Sequence, residues 1–246
     1  MNNTPILEVR DLTRRFGGLV AVNQVNFSLH HGETLGLIGP NGAGKTTLIS
    51  LISGTTAPST GDIFFEGVSV KNDSAFRRAR RGIGRTFQIM KPFPGLTVLD
   101  NVAVDALFGT ASSGKSLHTA REEAREWLQL MDLGKRAGQR ADELGGPDRK
   151  RLELAKAMAM KPRLLLLDEV MAGLNHVEID EVIDAIKKVR SSGITVLVIE
   201  HVIKAIKSLS DRLLVLHHGQ QIIEGTPAEV LADPRVIEAY LGRRRA

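Results

Sequence analysis

One stretch, Gly39-Pro40-Asn41-Gly42-Ala43-Gly44-Lys45-Thr46, constrains this chain more than any other. It follows the pattern G-x-x-x-x-G-K-[ST], in which every fixed position has a physical task. Glycines without a Cβ let successive backbone N–H groups curl around a phosphate. Lys45 brings a cation to the β- and γ-phosphates, and the Thr46 hydroxyl suits a Mg²⁺ ion, with Thr47 next in line. The flanks fit as well. Glu33-Thr34-Leu35-Gly36-Leu37-Ile38 reads as a short apolar strand, and Lys45 to Ser53 as a helix whose N-terminus faces the anion. Such a strand, loop and helix commit the chain to an α/β core, and to a nucleoside triphosphate as the expected ligand.

Composition sets the frame. At 246 residues the chain is long enough to bury a sizeable core. It has no cysteine, so no disulfide framework is expected. Met1-Asn2-Asn3-Thr4-Pro5 leads straight into a strand pattern, which argues against a leader peptide. No apolar run approaches the roughly 20 residues that cross a bilayer. A net charge of +5 is mild and spread along the chain. It reads as ordinary solvated surface, and nucleic acid is not an expected partner.

Periodicity and breakers give the layout. Ile6 to Phe16 mixes apolar and polar residues as an exposed edge strand would, ending at Gly17-Gly18. Val22 to Leu29 alternates, and Gly61 to Gly67 is a further short strand. From about Pro92 to Ala159 the pattern is helical, most clearly at Arg121 to Leu128. Leu164 to Leu167 and Thr195 to Ile199 are continuous apolar runs suited to central parallel strands, with a helix over Glu178 to Arg190 between them. Leu213 to Leu216 and Gln220 to Glu224 read as a hairpin turning at His218-Gly219.

Two acids close the run Leu164-Leu165-Leu166-Leu167-Asp168-Glu169. This places them at the carboxyl edge of a sheet, where open α/β folds bind ligands. Asp168 is a candidate Mg²⁺ holder, through water. Glu169 is a candidate for orienting and polarising the water that attacks a γ-phosphoryl group. His201, after the strand ending near Glu200, can contact a γ-phosphate from the same edge. Gln88, at the end of the candidate strand Gly84-Arg85-Thr86-Phe87, could bring its amide to the metal or the water.

The order of phosphate loop, Gln88, a signature-like segment at Leu144, Asp168-Glu169 and His201 resembles the ATP-binding subunit of an ABC transporter. The resemblance runs from Leu7 to Gly242. Within that family it is similar to the branched-chain (hydrophobic) amino acid uptake type, the LivG-like subunit. Gly84 to Gln88 with Leu96-Thr97-Val98, Leu167 to Asn175, and Val236-Ile237-Glu238-Ala239-Tyr240-Leu241-Gly242 carry that similarity. It implies a P-loop NTPase of the ABC type: a mainly parallel central sheet, an N-terminal antiparallel β subdomain and an inserted helical subdomain. Residues 1–91 and 160–246 would form the ATP-binding core, and 92–159 the helical and signature part, within one nucleotide-binding domain. It implies further that Phe16 stacks on adenine, that Lys45, Glu169 and His201 serve catalysis, and that Thr46, Gln88 and Asp168 serve the metal. The partners implied are a second ATPase subunit, transmembrane permeases touched by the helical part and, indirectly, a periplasmic or extracellular binding protein. The place implied is the cytoplasmic face of the membrane.

The departures carry information of their own. The family signature is Leu-Ser-Gly-Gly-Gln, and Leu144-Gly145-Gly146-Pro147-Asp148 stands in its place, in a register fixed by Arg149 to Ala155. A hydroxyl is lost at Gly145 and a backbone N–H at Pro147, both groups that would reach the γ-phosphate of the partner's ATP. Gly145, Gly146 and Asp148 are therefore expected to form a weakened contact to that ATP. Charge-assisted bonds contribute roughly 1.5–3 kcal/mol each, so losing two costs on the order of a hundredfold. An asymmetric heterodimer is expected, with a homodimer as the alternative. Asn175 also stands where many relatives carry aspartate.

The competing assignments are transporters of urea, amides or lipid, and soluble ATPases of DNA repair, chromosome structure or translation. Those soluble relatives carry coiled-coil insertions or two ATPase domains, for which this chain has no room. His30-His31 and His217-His218 are expected to face solvent, and Trp127 and Tyr240 to pack helices. Arg243-Arg244-Arg245 is expected to be a solvated tail.

Overall fold

Apolar runs set the strands here, and glycines end them. In the computed structural model, which describes residues 4–86, 92–93, 95–110 and 115–241, β1 (Leu7–Phe16) and β2 (Leu19–Leu29) pair across Gly17-Gly18. A two-residue glycine connection matches the twist of antiparallel strands. β3 (Thr34–Ile38), buried at every residue, leads through the glycine loop into α1 (Lys45–Ser53). Then come β4 (Thr60–Phe65), β5 (Val68–Ser69) and α2 (Ala75–Arg81). β6 (Ile83–Arg85), α3 (Val98–Phe108), α4 (Leu117–Leu130), α5 (Gly146–Ala159) and β7 (Leu164–Asp168) follow. The remainder is α6 (His176–Ser191), β8 (Thr195–Ile199), α7 (Ile203–Leu209), β9 (Arg212–His217), β10 (Gln220–Gly225), α8 (Pro227–Ala232) and α9 (Pro234–Leu241).

The chain divides into two compact units, Met1–Arg78 with Thr195–Ala246, and Ala79–Ile194. The first holds a four-stranded antiparallel sheet in the order β2-β1-β4-β5. β1 is thus an interior strand, not the edge that its mixed pattern suggested. Its alternation is broken by register shifts between Val9 and Leu12 and again around Arg14, with Asp11 at φ 47. Each shift swaps the buried face and disguises the strand. The same unit carries the strand order β10-β9-β3-β8, in which β3 runs parallel to both β8 and β9. Leu35, Leu37, Ile38, Val196 to Ile199 and Leu213 to Leu216 are all buried there, as runs without alternation require.

In the second unit β6 runs parallel to β7. α3, α4 and α5 pack against one another, and α5 also against α6. Ala103, Ala106, Ala120 and Ala124 are fully buried, small side chains that let helix axes approach closely. Thr97 and Ser116 cap α3 and α4 through their side-chain oxygens. The architecture is α/β, with an antiparallel β subdomain and a mainly parallel set of strands.

Candidate nucleotide site

In the first unit β3 ends at Ile38, and α1 begins at Lys45, so the glycine loop spans the gap between strand and helix N-terminus. Two of its glycines have no substitute. Gly39 has φ 151, and a Cβ there would lie 2.1 Å from the Leu216 carbonyl oxygen. Gly44 has φ 103, and its Cβ would lie 2.3 Å from the Ala21 carbonyl oxygen. The loop is therefore pressed between the end of β9 and strand β2. The β9–β10 turn adds a backbone bond, the Gly219 N–H donating to the Ala43 carbonyl at 3.0 Å.

Lys45 is 5% exposed, and its Nζ donates to the carbonyls of Gly39 (2.7 Å) and Pro40 (2.9 Å). The cation thus bridges its own loop. Asn41, Gly42 and Thr46 are exposed, so the outer rim of the loop and the Thr46 hydroxyl stand open at the positive end of α1. Phe16 is 46% exposed at the end of β1, with the Arg14 guanidinium 4.5 Å over its ring. His201 is exposed just beyond β8, while Glu200 beside it is buried. His30, His31 and His218 are exposed and His217 half-buried; the rings of His217 and His218 lie 4.0 Å apart in the turn before Gly219.

Two residues of this unit carry weight that sequence reading did not assign. Tyr240, expected only to pack α9, accepts the Gly39 N–H at 2.7 Å. Arg78 is buried and donates from Nη1 to Leu51 (2.6 Å) and Ile52 (2.9 Å), the carbonyls at the C-terminal end of α1. In an unbroken Arg-Arg-Ala-Arg-Arg run no pattern separates Arg78 from its exposed neighbours.

In the second unit Asp168 ends β7 and is 2% exposed. Its Oδ2 accepts from Arg85 Nη2 at 3.0 Å, while Oδ1 is buried with no hydrogen bond among the described residues. An orphaned carboxylate oxygen is costly unless something supplies a donor or a cation. That vacancy in its bonding fits a Mg²⁺ ion or a metal-bound water. No group of three or more His, Cys, Asp or Glu side chains able to hold a metal occurs among the described residues. Glu169 is half-buried and sits at φ 51, a left-handed conformation rare outside glycine and frequent at functional positions. Gln88 lies outside the described residues, as do Phe87 and Arg243 to Arg245.

The signature-like segment forms the start of α5. Gly145 is the N-cap and offers no side-chain bond, Gly146 opens the helix, and Pro147 stands within its first turn. Asp148 is already paired, with Arg136 (2.9 Å) and Arg151 (3.3 Å). Asn175, by contrast, caps α6 in full: its Oδ1 accepts from Val177 and Glu178, and Glu178 reaches back to the Asn175 N–H. An aspartate there would make the same bonds.

Residues 22–172 match the family model described as "ABC transporter". The chain belongs to the ABC transporter family. Residues 220–246 of this ABC subunit also match the model described as "Branched-chain amino acid ATP-binding cassette transporter". It is 40% identical to the high-affinity branched-chain amino acid transport ATP-binding protein BraF of Pseudomonas aeruginosa, over 97% of this chain and 98% of the relative. It is 38% identical to LivG of Escherichia coli K12, described in the same words, with the same coverage. Among solved structures it resembles the ADP conformation of MJ1267, an ATP-binding cassette of an ABC transporter. That likeness has TM-score 0.86 and 30% identity, over 97% of this chain and 99% of the other. A dimeric post-hydrolysis cassette, MJ0796 bound to ADP and Pi, follows at TM-score 0.79 and 26% identity, over 90% and 98%.

Proposed function

We propose that this ABC subunit hydrolyses ATP to drive uptake of branched-chain or other hydrophobic amino acids, working on the cytoplasmic face of a membrane with permease subunits and a second ATPase. The observation that carries the reading is Lys45, buried at the head of α1 and fixed by the Gly39 and Pro40 carbonyls beneath an open loop rim. On this reading the loop from Gly39 to Thr47 cradles the phosphates of ATP, and Phe16 receives the adenine ring. Lys45 leaves its own carbonyls for the β- and γ-phosphates. Thr46, Asp168 and Gln88 would hold Mg²⁺, which would supply positive charge to the phosphate oxygens. Glu169 orients and polarises the attacking water, and His201 contacts the γ-phosphate. The helical part within 92–159 meets the permease, and the substrate follows from the branched-chain relatives.

Nucleotide would lie between one subunit's loop and another's signature segment, so two unequal sites are proposed. The site using this chain's loop is the stronger one. The site using Gly145, Gly146 and Asp148 is weak. The test is Glu169→Gln in the assembled transporter, read by ATP affinity, phosphate release and leucine uptake. Affinity should stay within about threefold, while hydrolysis and uptake fall by a hundredfold or more. Uptake that survives in Glu169→Gln but is lost on the equivalent change in the second ATPase would reverse the asymmetry.

A further inference from the structure

The geometry points to Tyr240 as a positioning residue of the phosphate loop, through which the C-terminal helix α9 and ATP stabilise one another. The inference rests on the reading of the loop as the ATP site. It goes beyond that reading in giving a task to the C-terminal segment, which the branched-chain model matches without assigning one.

Gly39 is the first glycine of the loop, and both its backbone polar groups are committed. Its carbonyl accepts from Lys45 Nζ, and its N–H donates to Tyr240 Oη at 2.7 Å. The Leu216 carbonyl blocks any Cβ at this position. With φ 151, Gly39 occupies a conformation that needs outside support. These three neighbours supply it, from α1, α9 and β9. When ATP draws Lys45 toward its phosphates, the carbonyl side of this clamp loosens. The Tyr240 bond is then the side-chain tie that remains on Gly39.

The tyrosine is suited to the task. The residue is 42% exposed, so it packs incompletely, while burial raises its pKa above the usual phenol value. The group therefore stays neutral and protonated throughout the physiological range, with lone pairs for the amide. α9 follows directly on α8, which Thr226 and Glu229 cap reciprocally, so the tyrosine is delivered by a well-seated pair of helices rather than a loose end. Coupling of this kind is reciprocal: whatever affinity Tyr240 lends to ATP, ATP returns to the docking of α9.

Tyr240 is the only tyrosine in the chain, so a single ring-labelled residue reports on it without ambiguity. The experiment measures ATP binding to the full chain by calorimetry, for wild type, Tyr240→Phe and an Ile237→Ala control on the same helix. It also follows the Tyr240 ring carbon resonance of wild type during the titration, and kcat and KM of the assembled transporter. Loss of one hydrogen bond should weaken ATP binding and raise KM by about three- to tenfold in Tyr240→Phe, with kcat within twofold. Ile237→Ala should bind as wild type, and the tyrosine resonance should move as ATP saturates. If Tyr240→Phe binds ATP as tightly as wild type, the positioning role is wrong and Tyr240 merely seats α9. If wild type itself binds no ATP, the nucleotide reading of the loop fails first, and this inference falls with it.

Discussion

Arg78 offers a severe test of how the phosphate-loop helix is held. It is 1% exposed, and four carbonyls accept from it: Leu51, Ile52, Asp73 at 3.1 Å and Lys71 at 3.2 Å. The first two belong to the last turn of α1, where Leu51 also accepts from the C-cap Gly54 N–H at 3.3 Å and carbonyls otherwise lack an intrahelical donor. A cation there also complements the negative end of the helix dipole. Burial works the other way and lowers the Arg78 pKa, with Asp73 and Asp62 partly compensating. The four bonds therefore cannot be summed at their gross strength. Each buried carbonyl left without its donor costs about 1–3 kcal/mol, and partial relaxation toward water brings the four together to about 3–5 kcal/mol.

Arg78→Met keeps the aliphatic bulk and deletes all four donors, so that loss of about 3–5 kcal/mol is the expected effect. Set against a total stability of roughly 5–15 kcal/mol, it removes a large share. Arg78→Lys keeps the charge but cannot present a planar fork, and should lose about half as much. Urea unfolding of the full chain, followed by far-ultraviolet circular dichroism, gives both values. Saturating ATP at a hundredfold over its Kd should return about 2.7 kcal/mol to any variant whose loop still binds. A loss below about 1 kcal/mol in Arg78→Met, or no advantage of Arg78→Lys over Arg78→Met, would refute the role assigned to this side chain.

Two further outcomes are open to measurement. Asp105, beside Lys156 at 3.8 Å and near Glu153, has its pKa raised from 3.8 to about 6, chiefly by burial. A raised carboxyl favours the fold when protonated, so its contribution is full below pH 3.8 and is lost as pH rises through about 6. The shift corresponds to about 3 kcal/mol at most. With 24% of the side chain open to water, Asp105→Asn should stabilise by about 1–2 kcal/mol at pH 7.5 and by nothing near pH 4. Denaturant midpoints across that range decide it, and a pH-independent effect would count against burial as the cause. The loop glycines make a matched pair: Gly44→Ala meets the Ala21 carbonyl, whereas a Cβ at Gly42 has nothing within 4 Å. Gly42→Ala should cost only the left-handed strain of about 1–2 kcal/mol. Gly44→Ala should cost more and abolish ATP binding, and equal melting temperatures would overturn the contrast.

What the sequence revealed, and what it hid, divides on physical grounds. The strand-loop-helix from Thr34 to Ser53 was readable because the backbone itself requires glycines there, and Lys45 and Thr46 complete a pattern of fixed spacing. Leu164 to Leu167 was readable because a strand buried on both faces has no alternation to disguise it. β1 was misread because its bulges reset the period of two that marks a buried face. Tyr240 and Arg78 were illegible for a different reason. Each acts on a backbone group far away in the chain, Gly39 at a separation of 201 residues and Leu51 at 27. A bond from a side chain to a distant backbone amide or carbonyl imposes no residue type at the other end, so no paired pattern appears.

The start of α5 keeps a sound helical shape without the serine and glutamine of the family signature. Proline in the first turn costs the helix little, because the N–H it lacks has no intrahelical partner anyway. Glycine at the N-cap is nearly as good as serine for the backbone. Asp148 in the first turn is favourable to the helix dipole, and Arg136 and Arg151 balance its charge. Every departure from Leu-Ser-Gly-Gly-Gln thus costs folding little, and on the proposed reading each one removes something an incoming phosphate would use. The hydroxyl and one amide are gone, and a carboxylate already occupies the positive end of the helix. Selection for stability alone would leave such a segment intact, so the proposed weakness toward nucleotide is compatible with a fully folded subunit. This is the physical basis for the proposed inequality of the two sites: the loop at Gly39 to Thr46 keeps its lysine and an exposed Thr46 beside glycines that the fold requires, whereas the segment at Leu144 to Asp148 keeps a sound helix start without the signature's hydroxyl.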